Sequence, residues 1–286
     1  MSGGRAELCC HADDALAEYA ILTCSCRLHA HPILSRRAAL GLGLGTAVAG
    51  CSEFGQLGAG LVDPDQVQQM GLSAFQEIKQ ETPISRNPQA NALVERVGRR
   101  VVAASGSDIP ASQWEFVVFD SDQLNAFALP GGKVGVYSGM LNLIGGDEAE
   151  LATVIGHEIG HVTANHAAQR VGTSQITSLG GTVLAVVLEA YGVPMGQQAT
   201  GLAAEYLVAR PFSRSQELDA DRLGLTYMAE AGYDPAQAIE FWQKMARAGS
   251  GSGPGFLSTH PADAERMAQL EALLPGAQRV YRAGAG

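Results

Sequence analysis

The sequence predicts an α+β domain that is mostly helical and that carries one small β-sheet. Apolar residues recur at helical spacing in 66–81, 89–104 and 147–170. Two short segments, 114–119 and 126–137, are instead rich in β-branched and aromatic residues, which is typical of strands. The chain has 286 residues, 46% of them hydrophobic, and a chain of this size can bury one sizeable core or two small ones.

The composition excludes several classes of protein. The 29 Asp and Glu residues outnumber the 19 Lys and Arg residues, which gives a formal charge of -10. A nucleic-acid partner is not expected, because binding to phosphates needs a basic surface. No stretch approaches the roughly 20 unbroken apolar residues of a membrane-spanning helix, which excludes a polytopic membrane protein.

The N-terminal region predicts an exported lipoprotein. Arg36 and Arg37 precede an apolar, glycine-rich run in 38–50, which is about as long as the hydrophobic part of a signal peptide. The run ends in the sequence VAGC at 48–51, which resembles a bacterial lipobox with the lipid attached to Cys51. The alternative is an apolar helix that only happens to end in a cysteine.

The same region bears on the export route and on the final location. The arginine pair is typical of twin-arginine export, although ordinary Sec export fits as well. Ser52, rather than an aspartate, follows Cys51, which favours the outer membrane in a bacterium with two membranes. Residues 1–34 precede the signal, and one interpretation is that they are not translated. We expect an extension and signal peptide in 1–50, a lipidated tether in 51–63 and one folded domain in 64–286.

The candidate chemistry lies on the helix predicted for 147–170. His157, Glu158 and His161 form an HExxH motif there. Residues four apart on a helix differ by only about 40° around its axis, so both imidazoles can share one zinc ion while Glu158 stands beside them. Zinc would leave a position for water, which the metal acidifies and the neighbouring carboxylate deprotonates.

Few histidines lie outside the HExxH motif in the part of the chain that follows Cys51. After Cys51 the chain contains His157, His161, His166 and His260, so half of them lie in the motif. The alternative is two core histidines that are four apart by chance, but this would bury a glutamate between them without a partner, which is costly. His166 lies about 140° from His161 on a continuous helix, and we interpret it as a packing residue or as a neighbour of a ligand.

A third protein ligand is expected on another helix. Glu217 and Asp221 are four apart in the segment SRSQELDADRLG, on one predicted helical face. In a gluzincin-type site the first would bind the metal, and the second would accept the free ring N–H of a ligand histidine. The alternative is a solvated acidic face, which is the commoner use of such a pair. The HExxH motif upstream favours the metal site.

Four separated segments together resemble a known family. HEIGHVTANH, SRSQELDADRLG, AEAGYDPAQAIEFWQKM and LSTHPADAERMAQL occur in the order and at the approximate spacing of zinc metallopeptidases of the HtpX and CAAX prenyl protease type. The sequence most resembles the soluble periplasmic lipoprotein branch of that family, which includes LoiP and BepA. The resemblance covers about Pro64 to Pro275, and it implies a zincin-like, gluzincin fold with endopeptidase activity.

The resemblance assigns a role to each residue of the candidate metal site. His157, His161 and Glu217 would bind one zinc ion per chain. Glu158 would act as general base and then as general acid, and Asp221 would orient His157. The reaction implied is the attack of water on a peptide carbonyl.

Two further assignments rest on the resemblance. Asn125-Ala126-Phe127 resembles the family's edge strand, whose backbone would pair with an extended substrate, so the small sheet is expected to edge the cleft. His260 matches a histidine that reaches the cleft, where it would stabilise the oxyanion or reversibly cap the zinc. The alternative for His260 is a surface histidine in a loop before a helix.

These observations together predict a lipid-anchored zinc endopeptidase on the periplasmic side of a bacterial envelope. Its expected substrates are polypeptides, namely misfolded or misassembled envelope proteins, and outer-membrane assembly machinery is a candidate partner. An exopeptidase is disfavoured, because no segment resembles a chain-end-binding motif. The alternative is a chaperone-like assembly factor whose zinc is structural or capped by His260. Glu158 discriminates the two, since a structural zinc needs no general base.

Overall fold

The computed structural model describes residues 59–60, 62–174, 207–208, 211–249 and 255–284. The export signal predicted in 1–50, Cys51 and most of the predicted tether lie outside these described residues. Among the described helices, none is both long and apolar enough to span a membrane. The division of the chain at residues 50 and 63 stays a prediction.

The described residues form helices on both sides of one three-stranded sheet, which confirms the predicted α+β class. A 3₁₀ turn at Ala111–Gln113 precedes the first strand, and 166–174 is a further helical stretch. The other elements, in chain order, are α1 (Pro64–Glu81), α2 (Pro88–Ala104), β1 (Glu115–Phe119), β2 (Ala126–Leu129), β3 (Lys133–Tyr137), α3 (Ser138–Ile144), α4 (Glu148–Thr163), α5 (Arg214–Glu230), α6 (Ala236–Ala248), α7 (Phe256–Thr259) and α8 (Ala264–Gly284).

The sheet has the strand order β1-β3-β2, with β1 parallel and β2 antiparallel to the central strand β3. β2 and β3 form a hairpin around Pro130, Gly131 and Gly132. The φ angles of the two glycines are 86° and 73°, a conformation that glycine adopts without steric cost. The strands predicted in 126–137 are thereby confirmed, and a glycine turn joins them.

The two edges of the sheet differ. On the β1 edge, Ser85 N–H donates to the carbonyl of Val118 at 2.8 Å, and Asp120 N–H donates to the carbonyl of Pro83 at 2.7 Å. On the β2 edge, Ala128 N–H donates to a side chain of α4, Glu158, at 3.0 Å. One edge is therefore covered by a short extended segment, and the other edge faces α4.

The two faces of the sheet contribute to different cores, because alternate side chains of a strand point to opposite faces. On one face Phe119, Phe127 and Tyr137 pack with Phe75 of α1, with neighbouring ring centroids 5.5 to 6.3 Å apart. We call these four residues the aromatic layer. Gly135 leaves room for it, since a Cβ at this position would lie 2.4 Å from the ring of Phe127. The other face packs against α2 and α4 in the larger core.

Helix α4 begins as predicted but ends earlier than predicted. Asp147 accepts two backbone N–H groups of the first turn, at 2.8 and 2.9 Å, and so caps the helix. The helix ends at Thr163 rather than near residue 170, because Asn165 adopts a left-handed φ of 54°. Asparagine tolerates this conformation better than most residues do. The chain changes direction there before the helical stretch 166–174 begins.

Helices α4 and α5 cross with their backbones in close contact. A Cβ on Gly224 of α5 would lie 2.6 Å from the backbone nitrogen of His157, and a Cβ on Gly156 would lie 2.9 Å from the carbonyl oxygen of Gly224. Gly160, one turn further, would bring a Cβ to 3.0 Å from the carbonyl oxygen of Ala220. Glycine at these positions lets the polar side chains of the two helices meet.

Candidate metal centre

The residues predicted to carry the chemistry are gathered at the crossing of α4 and α5. α4 places His157, Glu158 and His161 on its buried flank, and α5 places Glu217 opposite them. Each of these four residues is only 2% exposed. His260 follows α7 and is 3% exposed, which excludes the alternative of a surface histidine. The burial of Glu217 likewise excludes a solvated acidic face.

Four side chains form a group that could hold one metal ion. Nε2 of His157 and Nε2 of His161 are 3.1 Å apart. Glu217 places Oε2 at 3.4 Å from the first and Oε1 at 3.4 Å from the second. Nδ1 of His260 lies 3.1 Å from Nε2 of His157 and 2.9 Å from Oε1 of Glu217. We call these four residues the metal cluster, because one ligand atom of each lies within 4.8 Å of the others.

The hydrogen bonds around the cluster fit a metal. Nδ1 of His157 lies 2.9 Å from Oδ1 of Asp221, and a carboxylate can only accept, so Nδ1 carries a proton and, in the neutral ring, Nε2 has the lone pair that a metal would take. That lone pair faces Nε2 of His161 and the carboxylate of Glu217. Oε2 of Glu217 is buried without a hydrogen bond. Two imidazole nitrogens and a carboxylate oxygen are ligands that zinc accepts.

Helix α5 favours the charged form of Glu217. Ser213 and Gln216 form a capping box at its start, with Ser213 Oγ accepting Gln216 N–H at 3.3 Å and Gln216 Oε1 accepting Ser213 N–H at 3.1 Å. Glu217 therefore lies in the first turn, where the helix dipole favours negative charge. Burial opposes this charge, but His260, His157 and His161 outweigh it and hold the pKa of Glu217 far below its usual range.

The pKa values of the two histidines of α4 are shifted in opposite directions. Burial by itself lowers the pKa of His157, but its hydrogen bond to Asp221 and the charge of Glu217 raise that pKa to about 9. For His161, burial dominates over Glu217 and holds its pKa well below the ordinary value. The contrast arises because Asp221 contacts one ring and not the other.

Arg266 is a component of the site that the sequence reasoning missed. This residue of α8 is 2% exposed. Its Nε and Nη2 donate to the two carboxylate oxygens of Asp221, both at 2.7 Å, and its Nη1 lies 2.8 Å from Oε2 of Glu217 without hydrogen-bond geometry. The guanidinium also lies 4.1 Å from the ring centroid of Trp242. Arg266 therefore holds Asp221 in the orientation in which it meets His157.

A sequence signal for Arg266 exists. The buried residues of α8 are Arg266, Leu270 and Ala277, so the arginine stands on the apolar stripe of its helix. A charged residue on such a stripe needs a buried partner. Burial opposes the charge of Arg266, but Asp221 and Glu217 raise its pKa, while the same pairing lowers the pKa of Asp221 against the effect of burial.

Glu158 lies between the cluster and the edge strand β2. Its Oε2 accepts the N–H of Ala128 at 3.0 Å, whereas Oε1 has no hydrogen bond and lies 3.4 Å from Nε2 of His260. Burial raises the pKa of Glu158, and the nearby His260 and His157 offset part of that rise. The carboxylate is therefore fixed through one oxygen while the other is free to exchange a proton.

Two neighbours support His161. The ring of Phe212 stacks on it, with centroids 3.7 Å apart and planes inclined by 21°. Nδ1 of His161 lies 2.9 Å from Nδ1 of His166. The break at Asn165 brings His166 to this position, which the spacing on a continuous helix would not allow. Burial lowers the pKa of His166 to about 4.

The predicted substrate segment lies at and just before β2. The carbonyl of Asn125 accepts Tyr137 N–H at 3.0 Å, and Phe127 pairs with Gly135 while its side chain lies in the aromatic layer. Hydrogen bonding alternates along an antiparallel pair, so the backbone groups of Ala126 and Ala128 face away from β3. Ala128, which the prediction did not include, is the residue of β2 that contacts Glu158.

A cleft of about 620 Å³ opens beside the cluster. His161, Phe212 and Ala128 line the end that adjoins the cluster, and the remainder is lined both by apolar residues such as Val67 and by polar residues such as Asp108. An extended chain lying along β2 would have this cleft beside it.

The site combines an HExxH helix with a third candidate metal ligand, a glutamate, from a second helix. This arrangement is typical of gluzincin-type metallopeptidases. The chain belongs to peptidase family M48, whose sequence pattern matches residues 88–274. The prediction is thereby confirmed at the level of the family, which implies a metal. The HtpX and CAAX prenyl protease type and the periplasmic lipoprotein branch stay predictions.

Known relatives come from mitochondria and from bacteria. The chain is 34% identical over 223 residues to the mitochondrial metalloendopeptidase OMA1 of Schizosaccharomyces pombe, covering 76% of this chain and 64% of the relative. It is 37% identical over 182 residues to OMA1 of Arabidopsis thaliana, covering 63% and 36%. It is 29% identical over 211 residues to the beta-barrel assembly-enhancing protease of Yersinia pestis, covering 71% and 43%. The matches thus span less than two thirds of each relative.

Proposed function

We propose that this chain is a zinc-dependent endopeptidase that cleaves misfolded or misassembled proteins of the bacterial cell envelope. The observation that carries the proposal is the placement of Glu158. It is buried beside the metal cluster, it is bound to the edge strand through Oε2, and its Oε1 has no hydrogen bond and faces Nε2 of His260. A purely structural metal site needs no such carboxylate.

Different residues of the chain have separate roles in peptide hydrolysis. His157, His161 and Glu217 would hold the zinc ion, which when bound supplies a Lewis acid that acidifies water and polarises the peptide carbonyl. Asp221 keeps the proton of His157 on Nδ1 and so keeps Nε2 available.

The proton transfers fall to Glu158. It removes one proton from the water whose oxygen attacks the carbonyl carbon, and it returns that proton to the amide nitrogen as the C–N bond breaks. His260, whose Nε2 lies 3.4 Å from Oε1 of Glu158, is placed to donate to the oxyanion.

The substrate is proposed to bind as an extended strand. The outward carbonyl groups of Ala126 and Ala128 can accept hydrogen bonds from a peptide along the edge of β2, while their N–H groups donate to Asn125 and Glu158. Pairing through the backbone does not depend on the peptide's sequence, which suits an enzyme that acts on unfolded segments. Asn125 fixes the start of this edge, because its side chain accepts the N–H of Ala126 at 3.0 Å.

The location is proposed from the N-terminal sequence and from the bacterial relatives. Cys51 would carry the lipid that anchors the chain to the periplasmic side of the envelope, at the outer membrane, in the manner of the periplasmic lipoprotein branch. The beta-barrel assembly-enhancing protease of Yersinia pestis supports outer-membrane assembly machinery as a partner. The mitochondrial relatives support proteolysis but not this location.

A second candidate function is that of a chaperone-like assembly factor with a capped metal. The position of His260 favours it, because its Nδ1 lies within the metal cluster, 2.9 Å from Glu217 and 3.1 Å from His157. A histidine in this position would compete with water for the metal. Release of His260 would then be needed for cleavage.

The test compares casein hydrolysis by the full-length chain, supplied with one equivalent of zinc, with hydrolysis by the variant Glu158→Gln. We expect the rate to fall by a factor of about 10² to 10⁴, because the general base is lost while the size of the side chain is kept. Glu148→Gln on the same helix is the matched control, since Glu148 is only half-buried and pairs with Arg96 at the surface. Zinc binding is measured for each variant.

The outcomes separate the two candidate functions. Activity that is lost in Glu158→Gln and with a chelator, but kept in Glu148→Gln, supports the peptidase. If the wild-type chain is inert and His260→Ala cleaves casein, the enzyme is capped. If the wild-type chain, Glu158→Gln and His260→Ala all bind zinc and none cleaves, the assembly factor is favoured and the peptidase is wrong.

A further inference from the structure

On the side that points away from the metal cluster, the rings of the two metal-binding histidines of α4 contact different groups. Nδ1 of His157 faces the carboxylate of Asp221 at 2.9 Å, while Nδ1 of His161 faces Nδ1 of His166 at 2.9 Å. An ionised carboxylate can only accept a hydrogen bond. An imidazole nitrogen accepts only when it carries no proton.

The facing nitrogens restrict where the protons lie. His161 directs Nε2 into the metal cluster, so its single proton must be on Nδ1 if Nε2 is to bind a metal. Nδ1 of His166 must then be the acceptor. The proton of His166 is thereby confined to Nε2.

Asp219 meets that proton. Its Oδ2 lies 3.6 Å from Nε2 of His166, on the side away from His161. A carboxylate there favours the form of His166 that is protonated on Nε2. Asp219 also pairs with Arg222 at 2.6 Å through its other oxygen, Oδ1, and this contact leaves Oδ2 facing His166.

We propose that His166 is a positioning residue that fixes the tautomer and the ring orientation of the metal ligand His161, with Asp219 fixing the tautomer of His166 in turn. This inference rests on the proposed function, since it takes the metal to bind at Nε2 of His161. His166 is 2% exposed, so water does not take its place. Groups that orient a ligand histidine commonly affect metal affinity by a factor of about 10 to 100.

The backbone makes this contact possible. The left-handed residue Asn165 ends α4 and turns the next residue back toward His161. Phe212 stacks on one face of the His161 ring, with the ring centroids 3.7 Å apart. The ring is therefore fixed by stacking on its face and by His166 at its edge.

The test measures zinc affinity by competition with a chelating indicator, using the full-length chain. His166→Leu removes the acceptor at similar size, and we expect the zinc affinity to fall by about 10- to 100-fold. His166→Asn places an amide oxygen on Cγ, where histidine carries Nδ1, and should bind zinc within about threefold of wild type because it still accepts the proton of His161.

A matched pair of variants tests the contact between His166 and Asp219 at the protein surface. Asp219→Ala removes the group that faces His166 and should lower zinc affinity by less than about tenfold, because the contact is long and partly exposed. Arg222→Met removes only the neighbouring ion pair and should leave zinc affinity unchanged. A loss in both variants would mean that the ion pair, and not the contact with His166, is responsible.

A measurement on the wild-type chain covers the case in which His166→Leu does not fold. Long-range ¹H–¹⁵N NMR correlations of the zinc-loaded chain should show His161 protonated on Nδ1 and His166 protonated on Nε2. Protonation of His166 on Nδ1 would overturn the proposal, as would wild-type zinc affinity in a folded His166→Leu variant. If the wild-type chain binds no zinc, the proposed function fails as well; if it binds zinc and cleaves casein, only the role of His166 is at stake.

Discussion

Two regions of the domain are buried to the same depth by different means. In the aromatic layer, Phe75 and Phe119 are 0% exposed and meet other rings at their edges and faces. The second region, which we call the polar core, buries ionisable side chains at 2% or 3% exposure. It consists of His157, Glu158, His161, Glu217, Asp221, His260 and Arg266.

The difference lies in what each region needs in order to stay folded. Apolar side chains are stabilised once their surfaces leave water, whereas a buried charge is stabilised only while each of its partners is present. Asp221 serves both His157 and Arg266, and Glu217 lies against His157, His161 and His260. We therefore expect the stability of the aromatic layer to be independent of metal, and that of the polar core to depend on it.

The largest effect is expected from Arg266→Met. The variant keeps much of the side-chain length but removes the positive charge opposite Asp221. Because one partner of a buried ion pair is lost, the free energy of unfolding should fall by about 3–5 kcal/mol. Zinc affinity should also fall, since Asp221 is no longer held against His157. Denaturant unfolding of the full-length chain, with zinc and with excess chelator, measures both changes.

A double variant separates stability from metal binding in this region. Replacing a whole buried ion pair with apolar side chains is often neutral, so Arg266→Met combined with Asp221→Leu should regain most of the stability lost by Arg266→Met. Zinc affinity should stay low, because no group then accepts the proton of His157. Normal zinc affinity in the double variant would show that Asp221 does not orient the ligand.

The next effect in size is expected from Phe75→Leu in the aromatic layer. Phe75 lies edge-to-face with Phe119 and Phe127, both at 6.3 Å. Losing these ring pairs and part of the buried volume should lower the free energy of unfolding by about 1–3 kcal/mol. The loss should be the same with zinc and with chelator, because no residue of the layer contacts the metal cluster through a charge.

A solvent-exposed apolar residue beside the same sheet is the control for Phe75. Ile84 is 47% exposed, so Ile84→Ala should change the free energy of unfolding by less than about 0.5 kcal/mol. A Phe75→Leu variant whose loss of stability depended on zinc would break the division between the two regions.

The sequence was informative wherever a local pattern carries the structure. The helical and strand periods predicted the elements, and the four-residue spacing predicted that His157 and His161 share a face and that Glu217 and Asp221 share another. The start of the predicted helix 147–170 agrees with the structure because the cap at Asp147 is a local hydrogen bond. The four segments that resemble the family occur in the family's order, and this order made it possible to predict that the local features form one site.

Contacts between distant segments were harder to predict. Arg266 joins α8 to α5 across 45 residues, and no short motif describes that pairing. The end of α4 depends on one left-handed residue, Asn165, within a helical pattern. The choice of Ala128 as the partner of Glu158 depends on the register of β2 with β3, and a shift by one residue would reverse which backbone groups face outward.

The smallest expected effect comes from charges at the rim of the aromatic layer. Glu115 of β1 lies 2.9 Å from Lys79 of α1 and 3.4 Å from Lys133 of β3. Burial alone would raise the pKa of Glu115, but its contacts with the two lysines outweigh that and lower the pKa below the ordinary value of 4.5. The ion pair thus stabilises the folded chain in its charged form.

The pH dependence follows from the direction of that shift. A carboxyl group with a lower pKa in the folded chain adds stability above its ordinary pKa, and this stability is lost as the pH falls through the folded-state pKa. Because the side chain of Glu115 is 39% exposed, water screens the pair, and the contribution should be below about 1 kcal/mol. The difference in unfolding free energy between wild type and Glu115→Gln should therefore be present at about pH 7, shrink at about pH 3, and shrink in high salt. A difference that grew on acidification would mean that the lysines do not stabilise the charged form of Glu115. The stability at this rim would then be independent of charge, as in the aromatic layer, and would not depend on charged partners as in the polar core.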